Sequence, residues 1–237
     1  MKALLVDLDD TLLDYSGGVD ECWSAACETV AGPAGIDTAL LVEAVRTERR
    51  LFWDDPERHR LERVDMPGAW RKIVVRGLDR MGARSAELAG PVAEDFAARR
   101  WAMMRLFPGV PEALRKLRDG GVIMALVTNG DVRQQRAKIE RYDLARYFDA
   151  ILIEGEFGLG KPDEKVYRHV LERLAVPAHE AWMVGDHLEW DVRAPQRLGL
   201  RGVWVDREGA GLSPGEGVRP DRIIREFREL VDPTPSP

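Results

Sequence analysis

Four short apolar runs, Ile123 to Thr128, Ala150 to Glu154, Ala181 to Gly185 and Gly202 to Val205, alternate with segments of helical length. This alternation limits the possible folds more than any other feature. Each run is too short for a helix and too continuously apolar for a strand with one face in water, so it reads as a strand buried on both sides. Between them, Asp131 to Tyr142, Asp163 to Leu174 and the stretch ending near Leu198 carry apolar residues at helical spacing. A fifth apolar run, Lys2 to Val6, belongs with the strands, and Glu112 to Arg118 reads as a helix begun near Pro111 and stopped at Gly120-Gly121. Asp221 to Leu230 reads as a closing helix. Strands joined by such helices build right-handed βαβ units, and so an α/β fold whose parallel sheet is covered by helices on both faces.

Residues 16 to 106 break this rhythm. They are rich in Ala, Leu, Glu and Arg, with helical spacing in "ALLVEAVRTERRLFW", and Pro33, Pro56 and Pro67 mark boundaries. The expectation is a helical insert of roughly four helices. The tail after Leu230, "VDPTPSP", reads as disordered. A net charge of −6 and a pI near 5.4 argue against a nucleic-acid partner. The longest apolar run, Val122 to Val127, is far short of a membrane span, and no signal-peptide core precedes Asp7. Cys22 and Cys27, the only cysteines, have no metal-ligand spacing and read as reduced packing residues. The expectation from these features is a cytoplasmic protein with no membrane partner.

In an open parallel sheet, ligands bind beyond the carboxyl ends of the strands. The first strand is followed there by Asp7-Leu8-Asp9-Asp10-Thr11, the second by Thr128-Asn129-Gly130, the third by "EGEFGLGKPD" with Lys161, and the fourth by "GDHLEWD" with Asp186 and Asp191. Carboxylates this crowded repel one another and resist burial unless positive charge lies among them. Several carboxylates, a lysine, a hydroxyl and backbone amides suit a divalent metal plus a phosphoryl group. Singly, each has a plainer reading: an aspartate at a strand end caps a helix or a turn, Thr-Asn-Gly is ordinary turn composition, and Lys161 could be a solvated loop residue. Their joint order is what chance explains poorly.

"DLDDTLLD", "VTNG", "GKPD" and "GDHLEWD" resemble, in order, the four motifs of the haloacid dehalogenase (HAD) superfamily. The resemblance implies a Rossmann-like core from residues 1 to 14 and 107 to 230, with residues 15 to 106 as a helical cap of the C1 type and 231 to 237 as the tail. By local wording the chain is similar to the soluble phosphatase branch. That implies a Mg²⁺-dependent phosphomonoester hydrolase acting on a small phosphorylated metabolite, with a cap that opens for substrate and closes against water. Asp7 would be the nucleophile and Asp9 the general acid and base. Asp7, the main-chain carbonyl of Asp9, and Asp186 would hold Mg²⁺. Thr128 and the amides of Asn129 and Gly130 would bind phosphate oxygens, and Lys161 would neutralise nucleophile and phosphate. Asp191 would buttress Lys161 or reach the metal through water. Asp10 is left as a turn residue.

Other readings fare worse. Gly155 to Lys161 matches G-x-x-x-x-G-K, yet Pro162 stands where a P-loop needs a hydroxyl, and Glu156 would repel phosphate. The four histidines, His59, His169, His179 and His187, lack zinc spacing. Trp53 and Trp190 could floor a pocket, but aromatics more often pack, and Arg46, Arg49, Arg60 and Arg63 could meet an anion or simply line a solvated helix face. A dehalogenase of the founding type resembles this pattern without the second aspartate or a metal. A sugar phosphate mutase would need the same core and a protected phosphoenzyme. A phospho-receiver carries its acceptor aspartate after a middle strand and has no cap, and a dead scaffold should have lost a catalytic residue.

Overall fold

The structure, a computed structural model, describes residues 1–83, 85–213, 215 and 217–231. The chain starts with β1 (Ala3–Val6) and the short β2 (Leu13–Asp14). Five helices follow: α1 (Val19–Ala31), α2 (Thr38–Trp53), α3 (Pro56–Glu62), α4 (Met66–Arg80) and α5 (Ala89–Met103). Then come β3 (Arg105–Leu106), α6 (Val110–Asp119), β4 (Ile123–Thr128), α7 (Val132–Arg141) and β5 (Ala150–Ile153). A single turn α8 (Glu154–Phe157), α9 (Glu164–Leu174) and β6 (Ala181–Gly185) lead to a wide π-type turn over Leu188–Arg193. The short α10 (Ala194–Arg197), β7 (Arg201–Val205) and β8 (Arg222–Ile224) complete the sheet.

Internal contacts divide the chain into two compact units, residues 16–104 and the remainder. The second of these is the α/β unit. Its six strands run in the order β5-β4-β1-β6-β7-β8, and every neighbouring pair is parallel. Ala3, Leu4, Leu5 and Val6 are all fully buried, because β1 lies between β4 and β6 and is covered on both faces. One face packs Leu5, Ala125 and Met183 against Val166, Tyr167 and Val170 of α9. After β5 the chain returns to the other side of β1 to lay down β6. The direction of strand addition therefore reverses at β1, the kind of switch point where α/β sheets bind ligands.

The C-terminal segment departs from the sequence reading. Asp221 to Leu230 is not a helix: Arg222–Ile224 extends the sheet beside β7, and a 3₁₀ turn over Phe227–Leu230 follows. Ile223, Ile224, Phe227 and Leu230 have helical spacing, yet Ile224 is 2% exposed and Ile223 47%, the alternation of an edge strand. Pairing along the open edge of β7 outweighs the local pattern. Residues 232–237 of the expected disordered tail lie outside the described residues.

Among the described residues, the unit of residues 16–104 holds five α-helices, against the roughly four expected. Its core includes Trp23, Phe52, Trp70 and Phe96, with the Trp23 and Phe96 rings stacked at 3.7 Å. Asp37, Asp55 and Asp65 cap α2, α3 and α4 by accepting backbone N–H bonds. Cys22 and Cys27 are buried free thiols, and burial pushes Cys27 up to about 12, which suits packing rather than reactivity. Trp53 packs edge-on against Phe52 and His59. Arg46 pairs with Glu43 and Arg49 with Asp20 on the exposed side, whereas Arg63 is buried. Among the described residues, no helix is long and apolar enough to cross a membrane.

Candidate active site

Asp7 is the first residue beyond β1, and its N–H still bonds the carbonyl of Val184, so the sheet fixes its position. The chain then turns tightly, with the N–H groups of Leu12 and Leu13 both donating to Leu8 O. Asp10 supports this turn from a left-handed conformation, φ 60°, and its Oδ1 accepts the Tyr15 N–H at 3.0 Å. That is the turn role expected of it. Thr128 ends β4, Lys161 lies in the loop before α9, and Asp186 follows β6. The carboxyl ends of neighbouring strands thus bring together residues far apart in sequence.

Lys161 is the hub. Its side chain is 1% exposed, and Nζ lies 2.7 Å from Asp7 Oδ1 and 2.6 Å from Asp191 Oδ1. The other Asp191 oxygen accepts the His187 N–H at 3.0 Å, so Asp191 braces both the lysine and the turn that carries it. Gly185 lets Asp191 approach: a Cβ there would lie 2.2 Å from Asp191 Cγ. Thr11 Oγ1 donates to the second Asp7 oxygen at 3.2 Å.

Asn129 holds the lysine loop. Its Nδ2 donates to Lys161 O at 2.8 Å, and its Oδ1 accepts the Lys161 N–H at 2.7 Å. Gly130 departs from its expected role. Its N–H donates to Glu154 Oε2 at 2.9 Å, which removes that amide from the phosphate donors in this arrangement. Glu154 is buried at the end of β5 and serves the loop after β4 as an internal acceptor.

Asp9 pairs with a different lysine. Both its oxygens accept bonds from Lys138 Nζ, at 2.9 and 2.8 Å, and Gln135 Nε2 reaches Oδ2 at 3.0 Å. Gln135 also lies 2.6 Å from Thr128 Oγ1. The sequence reading passed over Gln135, Lys138 and Glu154. For the first two the available signal was polar character at positions 135 and 138, three apart and on the face of α7 that also buries Ile139. For Glu154 the signal was an acid ending an apolar strand. Trp190, considered as a pocket floor, stacks on His187 at 3.9 Å, and its backbone N–H donates to His187 Nδ1.

One oxygen from each of Asp7, Asp186 and Asp191 lies within 4.8 Å of the others, the one such cluster among the described residues. Burial pushes Asp7 up to about 7, with Asp191 and Asp9 adding to the rise and Lys161 opposing it. Asp186 faces solvent at the edge of the cluster. The protein around it, then the charges of Asp7, Asp191 and Asp10, push it up to about 8, and contact with water weakens the first effect relative to the second. Burial would lower Lys161, but Asp191 and Asp7 outweigh it and keep the ammonium charged above its ordinary range. One lysine therefore leaves excess negative charge on an all-oxygen donor set, and these residues fit a hard divalent cation.

A measurable consequence follows from the sign of these shifts. Asp7 and Asp186 bind a proton more tightly folded than unfolded, so they cost stability as pH rises from about 4 towards 8. Thermal unfolding of chelator-treated protein should accordingly show Mg²⁺ raising the midpoint, and raising it more at pH 8 than at pH 6. An equal or smaller increment at pH 8 would contradict the assignment.

The family model for haloacid dehalogenase-like hydrolases matches residues 1–199, and the chain belongs to that family. It is a hydrolase whose relatives include phosphatases. It is 34% identical to a phosphoserine phosphatase of Thermus thermophilus, covering 97% of this chain and 98% of that one. It is 28% identical to a glyceraldehyde 3-phosphate phosphatase of Methanopyrus kandleri, over 98% and 96%. Among solved structures, a 2-haloacid dehalogenase from Pseudomonas syringae pv. Tomato DC3000 superposes with a TM-score of 0.66 at 27% identity, over 98% and 97% of the two chains.

Proposed function

We propose that the protein is a Mg²⁺-dependent phosphomonoester hydrolase that acts on a small phosphorylated metabolite through a phosphoryl-Asp7 intermediate. The observation that carries this reading is the Asp7 carboxylate, 2.7 Å from the buried Lys161 ammonium and clustered with Asp186 and Asp191, with a second carboxyl at Asp9. Asp7 attacks phosphorus. Lys161 lowers the repulsion between that carboxylate and the incoming phosphate. Asp9 gives a proton to the leaving oxygen, then takes one from the water that cleaves the acyl phosphate. Thr128, with the main chain at Asn129, binds phosphate oxygens. Asp7, Asp186 and the Asp9 carbonyl would hold Mg²⁺, with Asp191 bracing Lys161 beside it. Bound there, the metal supplies positive charge against a phosphoryl oxygen.

The likeness to a haloacid dehalogenase raises the rival reaction. Expulsion of halide by an aspartate needs no metal and no proton donor, so Asp9 and the surplus negative charge around Asp186 support the phosphatase. The names of the relatives make phosphoserine and glyceraldehyde 3-phosphate the first substrates to try. A panel of phosphomonoesters, with a 2-haloacid as control, should show phosphate release that stops in EDTA and returns with Mg²⁺. Halide release without phosphatase activity, or full phosphatase turnover in protein shown metal-free by elemental analysis, would overturn the proposal.

A further inference from the structure

Helix α7 turns two polar side chains inward, Gln135 and Lys138, each only 2% exposed. Lysine is almost never this buried unless it is paired. Here the partner is Asp9, whose two oxygens lie 2.9 and 2.8 Å from Lys138 Nζ. The Tyr15 ring faces the same ammonium, its centroid 4.0 Å away, which closes off another side of the charge. Gln135 Nε2 has three acceptors within reach: Asp9 Oδ2 at 3.0 Å, Thr128 Oγ1 at 2.6 Å and Asn129 O at 2.9 Å. One helix face therefore ties the residue after β1 that handles the proton to the residue ending β4 that meets phosphate.

We propose that Lys138 and Gln135 are positioning residues for Asp9. They fix the direction of its carboxyl and its separation from the Thr128 hydroxyl, so that proton transfer and phosphate binding share one frame. The inference rests on the role given to Asp9 above. A packing role alone would be met by apolar side chains, as Ile139 on the same face shows. Lys138 instead spends both short bonds on one carboxylate, and Gln135 spans both strand ends.

The test uses the full chain with Mg²⁺, an alkyl phosphomonoester from the panel and p-nitrophenyl phosphate, whose leaving group needs little protonation. Lys138→Met should lower kcat on the alkyl ester about 10²-fold while KM moves less than about threefold. Single-turnover release of p-nitrophenol should stay within about threefold of wild type, since that step does not depend on an aimed proton donor. Lys138→Arg should recover about tenfold of the loss. Asp9→Asn/Lys138→Met should be no more than about threefold slower than Asp9→Asn, because both changes act through one carboxyl. Gln135→Leu and Lys138→Arg decide the matter if Lys138→Met does not fold: Gln135→Leu should repeat the same split between the two substrates. Wild-type kcat, equal losses on both substrates, or multiplying losses in the double variant would overturn the inference. A disabled Asp9→Asn beside an active Lys138→Met would overturn this inference alone. Wild-type turnover in Asp9→Asn would overturn the assigned role of Asp9 as well.

Discussion

Asp7→Asn should lower phosphomonoester turnover by about 10⁴-fold or more, because the amide keeps the shape of the side chain but cannot attack phosphorus. Stability should move the other way. Asp7 is buried and pushed up to about 7, so at pH 8 its charge opposes folding in the metal-free protein. The neutral amide removes that opposition, and its oxygen can still accept from Lys161. Metal-free Asp7→Asn should therefore unfold at the same temperature as wild type or higher at pH 8, while being inactive at every metal concentration. Retained turnover would move the nucleophile elsewhere. Lost turnover with a much lower unfolding temperature would mean that the charged Asp7–Lys161 pair holds the site together.

Lys161→Met should have the largest effect on stability. The methionine leaves Asp7 and Asp191 facing one another with no cation between them, and Asp191 is 1% exposed. Breaking a buried pair from one side costs about 3–5 kcal/mol. The loss should shrink at pH 5, where the orphaned Asp7 carboxyl, already raised to about 7 by burial, takes up a proton, and be greatest at pH 8. Turnover should be abolished at both. Urea unfolding at the two pH values reads the difference directly, and a loss under about 1 kcal/mol at pH 8 would show that Lys161 is not the counter-charge that holds these carboxylates.

What the sequence made legible follows one physical rule. A strand buried on both faces is a continuous apolar run, and the residues just beyond it must be the ones that meet ligand. Asp7, Thr128 and Asp186 stand at or just beyond the end of a run and Lys161 in the longer loop that follows one, so the sequence picks them out, and the structure gathers Asp7, Lys161 and Asp191 within bonding distance. Gln135, Lys138 and Glu154 stand outside the rule. Each acts through a long side chain that reaches back from a neighbouring element, and the one local sign for Gln135 and Lys138 is their place on the helix face that carries Ile139. Gly130 illustrates the converse. Its place in the turn was legible, but which acceptor its N–H would meet depended on Glu154 at the end of the next strand. The strand at Arg222–Ile224 was missed because a three-residue edge strand is decided by its neighbour rather than by its own periodicity.

The central place of β1 has a consequence for how the protein comes into being. During synthesis the strand that will sit in the middle of the sheet is made before the strands that flank it, and Ala3 must wait for Ile123 and later for Ala181 before either side is paired. All of residues 16–104 are made in the interval, so a fully apolar strand followed by like charges stays unpaired while that unit is completed. Contacts this distant along the chain slow folding and leave sticky intermediates exposed. The nascent chain is thus most vulnerable to aggregation before β4 is made.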